Sequence, residues 1–564
     1  MTGFPSATGR LSAFAPASAA ALAVAAVPYA TVWMPFQTSL WASGAVVITI
    51  VASLAVVGRR GLAAAAAEAP GPVRTGLGLY LAAATYGAAV GVAHGNPIRY
   101  VATQTASMVI LPAAFLAFRA GARTSVRRLA AGLGFGAFVA VAVHVALLAV
   151  RAGAPAVNGE ALRLALPYDV AYTGPAVMAL LSALAWAAET PSPLAAAACA
   201  ASGLLLVGSM SRGAWLATAG GVGLYWWLSR RRRWWTLPLA ASVALLCVAA
   251  VLGASARVWR NARPLLASRL DLPDDAPPGA VTDIGKRVPV TGGPVEIAFS
   301  VGGRPAGPLI VAVSSWSPGE GARALALLRP NPHDASTVVR TVAFPAAGAT
   351  RLDFCVWNPP GTGQSLRLEA RELPGALAGW VRTAGLRLGT LGAAVTDPAS
   401  DATLGYRVRE MEAVRDAWMR ASLLRRLSGQ GLGATVEFPN SSWSSSGRRI
   451  TVPTASYLHN FYVFLGFKLG AVGIAALLGL LMVAGWTWRA AWRALPAGGS
   501  PALAAATACW CAYLAWSVTS PEIVNAHIAT LLGALVAGAL ADAVPGGETP
   551  QAASRSQSSS TSSE

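Results

Sequence analysis

Apolar runs of about 20 residues recur along this chain, and a hydrocarbon core about 30 Å thick needs an apolar helix of about that length. With 55% hydrophobic and 12% charged residues, the chain is too apolar for a soluble globular protein. We therefore predict an all-α polytopic membrane protein of about twelve transmembrane helices. The predicted spans lie near 12–32, 39–58, 75–94, 98–118, 129–150, 167–188, 193–209, 213–229, 235–256, 456–485, 501–519 and 524–542.

Basic residues cluster in alternate loops between these spans, although the net charge is +19. Short basic clusters beside apolar runs are typical of cytoplasmic loops and not of a nucleic-acid surface, so membrane lipids are the expected anionic partner. Both termini are predicted to be cytoplasmic, with a disordered tail over 543–564. The clusters are Arg59, Arg60 and Arg74; Arg119, Arg123, Arg127 and Arg128; Arg230 to Arg233; and Arg489 and Arg493.

The same topology makes residues 257–455 one large external loop between nine helices in 1–256 and three in 456–542. Within the loop, short alternating runs separated by Gly, Pro and Asn predict an inserted antiparallel β-sandwich over 281–372. Amphipathic helices are expected over 375–427. The sandwich aromatics Trp316 and Trp357 would either bind glycan or pack as the core of a spacer, and both interpretations stay open.

A candidate phosphate site lies at the start of the eighth span, where Arg212 is predicted at the external face. A guanidinium at a helix N-terminus adds its charge to the helix dipole, and Ser211 offers a hydroxyl beside it. Together they suit a phosphate or diphosphate, although an arginine at this depth also reaches lipid headgroups. Further cations, Arg260 and Arg409, lie in the loop, where each can equally be solvated.

The second candidate lies where the loop returns to apolar sequence, at Tyr457, His459 and Asn460. His459 would share the depth and the face of Arg212, and an imidazole titrates near neutral pH. The alternative is that His459 and Asn460 only cap a transmembrane helix. The histidines show no ligand spacing with one another, so we expect no metal, and no cofactor is indicated.

Several segments, in this order, resemble the O-antigen ligase and polymerase superfamily. They are SRGAWL from Ser211, the long external loop, GQGLG from Gly429, and HNFY from His459. The resemblance implies a metal-independent, inverting glycosyltransferase of the bacterial inner membrane with its active site at the periplasmic face. Such enzymes transfer a glycan from undecaprenyl diphosphate to another glycan, to lipid A-core or to a protein.

The resemblance and the chemistry of the residues together assign roles. Undecaprenyl diphosphate is a good leaving group, so catalysis needs cations on the diphosphate and a group that orients the acceptor hydroxyl. Arg212 and a loop arginine would be the cations that contact the diphosphate. His459 would orient the acceptor hydroxyl, as base or hydrogen-bond partner. Expected substrate contacts, to diphosphate or acceptor, are Ser211, Arg409, Arg260, Asn460 and Tyr457.

The acceptor is not readable from the sequence. Ligase, polymerase and protein O-oligosaccharyltransferase all stay open, and the sandwich, which would hold or guide polysaccharide, slightly favours a polymerase. A polysaccharide transporter or a glycan-binding membrane protein is the competing class. Transporters usually carry repeated halves with ionisable residues near the bilayer midplane, whereas the polar features here cluster at one face beside one loop.

Overall fold

The structure is a computed structural model. It describes residues 58–122, 170–208, 211–229, 236–271, 281–302, 310–318, 321–328, 338–345, 348–357, 365–389, 402–436, 440–443, 449–452 and 458–543, with scattered positions before residue 134. The predicted spans near 12–32, 39–58 and 129–150, and the predicted tail, lie wholly or largely outside these residues.

The described chain is mostly helical, with helices on both sides of a β region. Before the β region, residues 58–67 are helical and six longer helices follow: α1 Gly71–Ala93, α2 Ile98–Ala122, α3 Val170–Glu189, α4 Pro193–Gly208, α5 Arg212–Ser229 and α6 Thr236–Asn261. After it come α7 Ala376–Gly389, α8 Ala402–Arg420, α9 Leu423–Ser428, α10 Phe461–Leu469, α11 Ala471–Ala494, α12 Pro501–Trp516 and α13 Ala526–Ala543, with short 3₁₀ turns at Leu495–Ala497 and Glu522–Val524.

Three stretches among the described residues are long and apolar enough to cross a membrane: Gly71–Ala93, Ile98–Ala120 and Ala471–Ala494. This is compatible with a membrane protein, but it does not support about twelve spans. Four more apolar helical stretches have only 10–17 residues, among them Pro501–Trp516. At 1.5 Å per residue, 16 residues extend about 24 Å, which is less than a hydrocarbon core of about 30 Å.

Small residues let the apolar helices approach closely. The pairs α1 with α11, α2 with α13, and α5 with α12 pack side by side. At the crossing of α1 and α11, a Cβ atom added to Gly76 would lie 2.4 Å from the carbonyl oxygen of Gly479. Only glycine leaves room for two backbones at that separation, as is common where helices pack within membranes.

The β region is a sandwich of two four-stranded antiparallel sheets with strand orders β1-β8-β3-β6 and β2-β7-β4-β5. Apolar side chains from both sheets, including Phe299 and Phe354, form one core. The structure thus contains the predicted sandwich, and its first strand begins before residue 281. The strands are β1 Arg263–Asp271, β2 Val281–Pro289, β3 Val295–Gly302, β4 Ile310–Ser317, β5 Gly321–Leu328, β6 Val339–Ala343, β7 Arg351–Trp357 and β8 Ser365–Glu372.

A buried ion pair connects α6 and α7 to the sandwich. Arg382 on α7 contacts both carboxylate oxygens of Glu296 on β3, at 2.5 and 2.9 Å, and donates to the Ser255 hydroxyl on α6 at 3.1 Å. Glu296 has no exposed surface, so both charges depend on this geometry. The sandwich is therefore fixed to the end of the helix that leads into it.

The segment between the sandwich and α10 differs from the prediction in two places. The second amphipathic helix is broken after Arg420, and Ser422 caps the short α9 by accepting a hydrogen bond from Arg425 N. The Ser-rich stretch before α10, for which no strand was predicted, contains a hairpin of β9 Asn440–Trp443 and β10 Arg449–Val452.

Candidate functional site

The side chain of His459 contacts a buried carboxylate. Its Nδ1 lies 3.2 Å from each carboxylate oxygen of Glu410, and its backbone N–H donates to Oε2 of the same residue at 2.8 Å. The Glu410 side chain is 2% exposed and the imidazole 29%. A carboxylate on Nδ1 fixes the ring orientation and makes Nε2 the nitrogen through which His459 would exchange a proton.

Local sequence explains how His459 is held. Asn460 is the N-cap of α10, and its side chain accepts a hydrogen bond from Val463 N at 3.0 Å. The same amide donates to the carbonyl of Val518 at 2.9 Å, and Phe461 N donates to the carbonyl of Ser517 at 2.9 Å. The cap interpretation of Asn460 is therefore correct, and the cap also joins α10 to the turn after α12.

The start of α5, which carries Arg212, packs on the same turn. A Cβ atom added to Gly213 would lie 2.9 Å from Trp516 Nε1 and 3.2 Å from Thr519 Oγ1. Residues 516–519, here named the junction turn, thus contact both the first turn of α5 and the first turn of α10. The two segments, separated by about half of the chain, meet at one turn.

The other predicted site residues have different positions. Arg409 lies on α8 beside Glu410, but its side chain is outside the described residues, as is Tyr457 altogether. Ser211 immediately precedes α5, is partly buried, and accepts a hydrogen bond from Trp215 N through its carbonyl at 3.0 Å. Arg260 is exposed on the last turn of α6, near the sandwich, and the described contacts do not join it to His459.

A glycine-rich loop, Gly429 to Gly433, lies behind the site and is a packing element. Its three glycines have φ of +80°, and the loop passes against α1 and α10. Leu432 N donates to the carbonyl of Gly87 at 2.8 Å, and a Cβ atom added to Gly431 would lie 2.3 Å from Gly91 N. Backbone approach of this kind leaves no room for a phosphate between the loop and α1.

Lys468 supports this loop from α10. It has no exposed surface, and its ammonium donates to the Ala434 carbonyl at 2.8 Å and to Gln104 Oε1 at 3.0 Å. Gln104 Oε1 also accepts from Gly433 N at 2.8 Å. A buried charge needs such partners. Lys468 is therefore a structural contact of the glycine-rich loop.

Glu410, the residue that touches His459, is not among the predicted site residues. A usable signal was present, because Glu410 stands four residues before the buried Val414 and therefore on the apolar face of α8. A carboxylate on an apolar face needs a partner, and here the partner is the predicted histidine.

No family model matches the chain, and neither a curated protein nor a solved structure is significantly similar to it. The resemblance to the O-antigen ligase and polymerase superfamily therefore rests on the short segments quoted above and stays a prediction. In the described part of the chain, no three His, Cys, Asp or Glu side chains lie together as metal ligands would.

Proposed function

We propose that the protein is a membrane glycosyltransferase of cell-surface polysaccharide assembly. It would transfer a glycan from undecaprenyl diphosphate to an acceptor hydroxyl, as O-antigen ligases and polymerases do. The proposal includes a multi-pass location in the bacterial inner membrane, with the site at the periplasmic face. The observation that carries it is the contact between His459 and buried Glu410 at the junction turn, on which the Arg212 segment also packs.

In this mechanism His459 takes the proton of the acceptor hydroxyl as it attacks the anomeric carbon. Glu410 holds the ring and stabilises the imidazolium that forms, because a carboxylate next to a developing cation lowers its energy. Arg212 stabilises the departing diphosphate, aided by the N-terminal dipole of α5. Attack opposite to the leaving group inverts the anomeric configuration, and no metal is required by this scheme.

The proposal is tested with the purified full chain in nanodiscs, a lipid-diphosphate-linked glycan donor and a glycan acceptor. We expect His459→Ala and Arg212→Ala each to lower the rate of transfer by about 100-fold or more, the usual contribution of a general base or of one anion-stabilising group. Arg415→Ala is the control, since Arg415 is exposed and pairs with exposed Asp416. Undiminished transfer by either variant would remove that residue from the mechanism.

A cellular experiment separates the members of the class. Deletion of the gene followed by electrophoresis of surface glycans would show single repeats on the core for a polymerase, and polymer retained on the lipid carrier for a ligase. Unmodified glycoproteins would indicate a protein O-oligosaccharyltransferase. If surface glycans and glycoproteins are all unchanged, the proposal is contradicted. If the deletion removes polymer but the His459→Ala variant still transfers glycan normally in nanodiscs, a transporter or binding role is favoured.

A further inference from the structure

A groove of about 490 Å³ lies on the sandwich, along the sheet of strands β1, β8 and β3. Its size is within the range of small-ligand sites, about 300–1,000 Å³. Because Leu366 and Leu368 of β8 point into the core, the alternating residues of the same strand point outward into the groove. The polar residues that line it include Arg269, Ser300, Ser365, Arg367 and Glu369.

The centre of the groove contains two arginines side by side. The strand register pairs Arg269 of β1 directly with Arg367 of β8, and Ser300 of β3 pairs with Arg367 on the other side. Cβ atoms of such pairs lie about 4.5–5.5 Å apart, and like charges directly opposite destabilise a sheet. Glu369 offsets part of this repulsion by pairing with Arg367, and a negatively charged ligand group between the two guanidinium groups would offset the rest.

Hydrogen-bond acceptors flank the arginine pair. Glu369 accepts from Arg367 Nε and Nη2 at 3.1 and 2.8 Å, and it is 26% exposed. At the opposite end, Ser365 packs against Gly302, where an added Cβ atom would lie 2.5 Å from Ser365 Oγ. The Glu369 carboxylate and the Ser365 hydroxyl are acceptors that suit the hydroxyl groups of a sugar.

We propose that this groove binds an acidic glycan, a sugar chain that carries carboxylate groups, such as one containing uronic acid. Arg269 and Arg367 bind a carboxylate of the chain, while Glu369 and the serine hydroxyls bind its sugar hydroxyls. The site is separate from the His459 site, and it depends on the proposed function only because a glycan-transferring enzyme would meet such a chain.

The groove replaces the aromatic sites considered from the sequence. Trp316 lies on the other sheet, and the Arg351 guanidinium stacks over its ring at 4.5 Å from the centroid. That face of the indole is therefore covered by a protein side chain. The side chain of Trp357 is outside the described residues. Among the described residues, the lining of the groove carries an arginine pair and no aromatic ring, which favours an acidic sugar.

The test is isothermal titration of the full chain, in phosphatidylcholine nanodiscs, with a galacturonic-acid hexasaccharide and with maltohexaose. We expect the acidic sugar to bind at least tenfold more tightly than the neutral one. Arg269→Gln and Arg367→Gln should each weaken that binding about tenfold, as expected for loss of one charge-assisted hydrogen-bond pair. Both side chains lie on an outer sheet face, so neither change removes core packing.

Arg287→Gln is the matched control, since Arg287 is an exposed arginine on the second sheet. It should leave binding unchanged. Equal affinity for the two sugars, or affinity insensitive to both groove variants, would overturn the proposal. Binding to phosphatidylglycerol vesicles that is lost in the groove variants, without binding of the acidic sugar, would identify a lipid-headgroup site instead. No donor turnover is involved, so failure of the glycosyltransferase proposal would leave this result interpretable.

Discussion

His459 and Glu410 set the chemistry that the site can perform. The Glu410 carboxylate is almost completely buried, and it accepts from both the backbone and the ring of His459. A buried carboxylate beside an imidazole stabilises the protonated ring, which is the product of base catalysis. Glu410 would thus act through His459 as a positioning residue without touching the substrate.

Glu410→Gln separates that electrostatic role from packing. Glutamine has nearly the same shape and can still accept the backbone hydrogen bond of His459, but it does not stabilise an imidazolium. We expect the transfer rate to fall about 100-fold or more, with little change in the KM for the donor and in the unfolding temperature. Glu412→Gln, a change at an exposed position of the same helix, should leave the rate unaltered. Equal rates for the two variants would exclude the role of Glu410.

At the scale of elements, the glycine-rich loop fixes α10 and the end of α9 against α1. It does so through backbone hydrogen bonds, including Gln430 N to the Phe467 carbonyl and Gly431 N to the Lys468 carbonyl, both at 2.9 Å. Since His459 immediately precedes Asn460, the N-cap of α10, the position of the candidate base depends on this packing. Gly470, with φ of +56°, divides α10 from α11 where the sequence predicted one continuous span.

Gly431→Ala tests the close approach. Both Gly431 and Gly95 have positive φ, at +80° and +72°, but an added Cβ atom at Gly95 has no neighbour within 4 Å. Gly95→Ala should therefore cost only the strain of the left-handed conformation, about 1–3 kcal/mol, while Gly431→Ala adds a clash with α1. The measurement is the thermal unfolding of the two variants in the same detergent. A Gly431→Ala protein as stable as Gly95→Ala would contradict this packing.

The part of the sandwich around Glu372 should become less stable at acidic pH. Burial by itself would raise the pKa of the Glu372 carboxyl, but hydrogen bonds from Thr291, Arg263 and Gly293 outweigh it and hold that pKa below its usual 4.5. A group with a lowered pKa stabilises the folded state above its unfolded pKa and loses that contribution as the pH falls through the folded value. The hydrogen bonds around Glu372 should thus be most stable above about pH 5 and weaken below about pH 4.

Hydrogen exchange at the amides of Thr291 and Gly293, both bound to Glu372 Oε1, measures this effect. After correction for intrinsic rates, protection should fall between about pH 6 and pH 3.5. Glu372→Gln should have lower protection at pH 6 and little change on acidification. Glu369→Gln is the control, because the Glu369 side chain is 26% exposed and contacts only the outer face. Protection independent of pH in the unmodified chain would refute the argument.

At the scale of the whole molecule, an apolar helical part carries a β-sandwich between α6 and α7. The sandwich is fixed to these helices by the ion pair of Arg382 with Glu296 and by the packing of α7 on α6. If the arginine clusters are cytoplasmic, the sandwich and the His459 site lie on the external side of the membrane. The three long apolar helices are compatible with such a membrane protein but do not by themselves give its orientation.

Orientation is tested by labelling introduced cysteines in intact spheroplasts with a membrane-impermeant maleimide. Leu377 on α7 is 76% exposed, so Leu377→Cys should be labelled from outside. Ser559→Cys, in the polar tail predicted to be cytoplasmic, should be labelled only after lysis. The unmodified chain gives the background from native cysteines. Labelling of both positions, or of Ser559→Cys alone, before lysis would contradict the predicted topology.

The sequence by itself determined the features that depend on local periodicity. Alternating residues predicted the strands β3, β4, β6, β7 and β8, and helical spacing predicted amphipathic helices over 375–427, where α7, α8 and α9 lie. Hydropathy predicted membrane character, but among the described residues it overestimated the number of membrane-spanning helices. It does not distinguish a helix of 16 apolar residues from one that is long enough to cross a bilayer. Polar residues at the predicted external face, together with the family resemblance, pointed to His459 and Arg212, whose segments contact the same turn in the structure.

Only the tertiary structure decided which side chains meet. The contact of Glu410 with His459 joins residues 49 positions apart, and the junction turn joins segments much farther apart. The groove likewise depends on a register in which β1 pairs with β8, two strands separated by most of the sandwich sequence. Periodicity shows which face of a helix or strand is apolar. The partner of a buried charge depends on how the elements pack, because packing brings together residues that are far apart in the sequence.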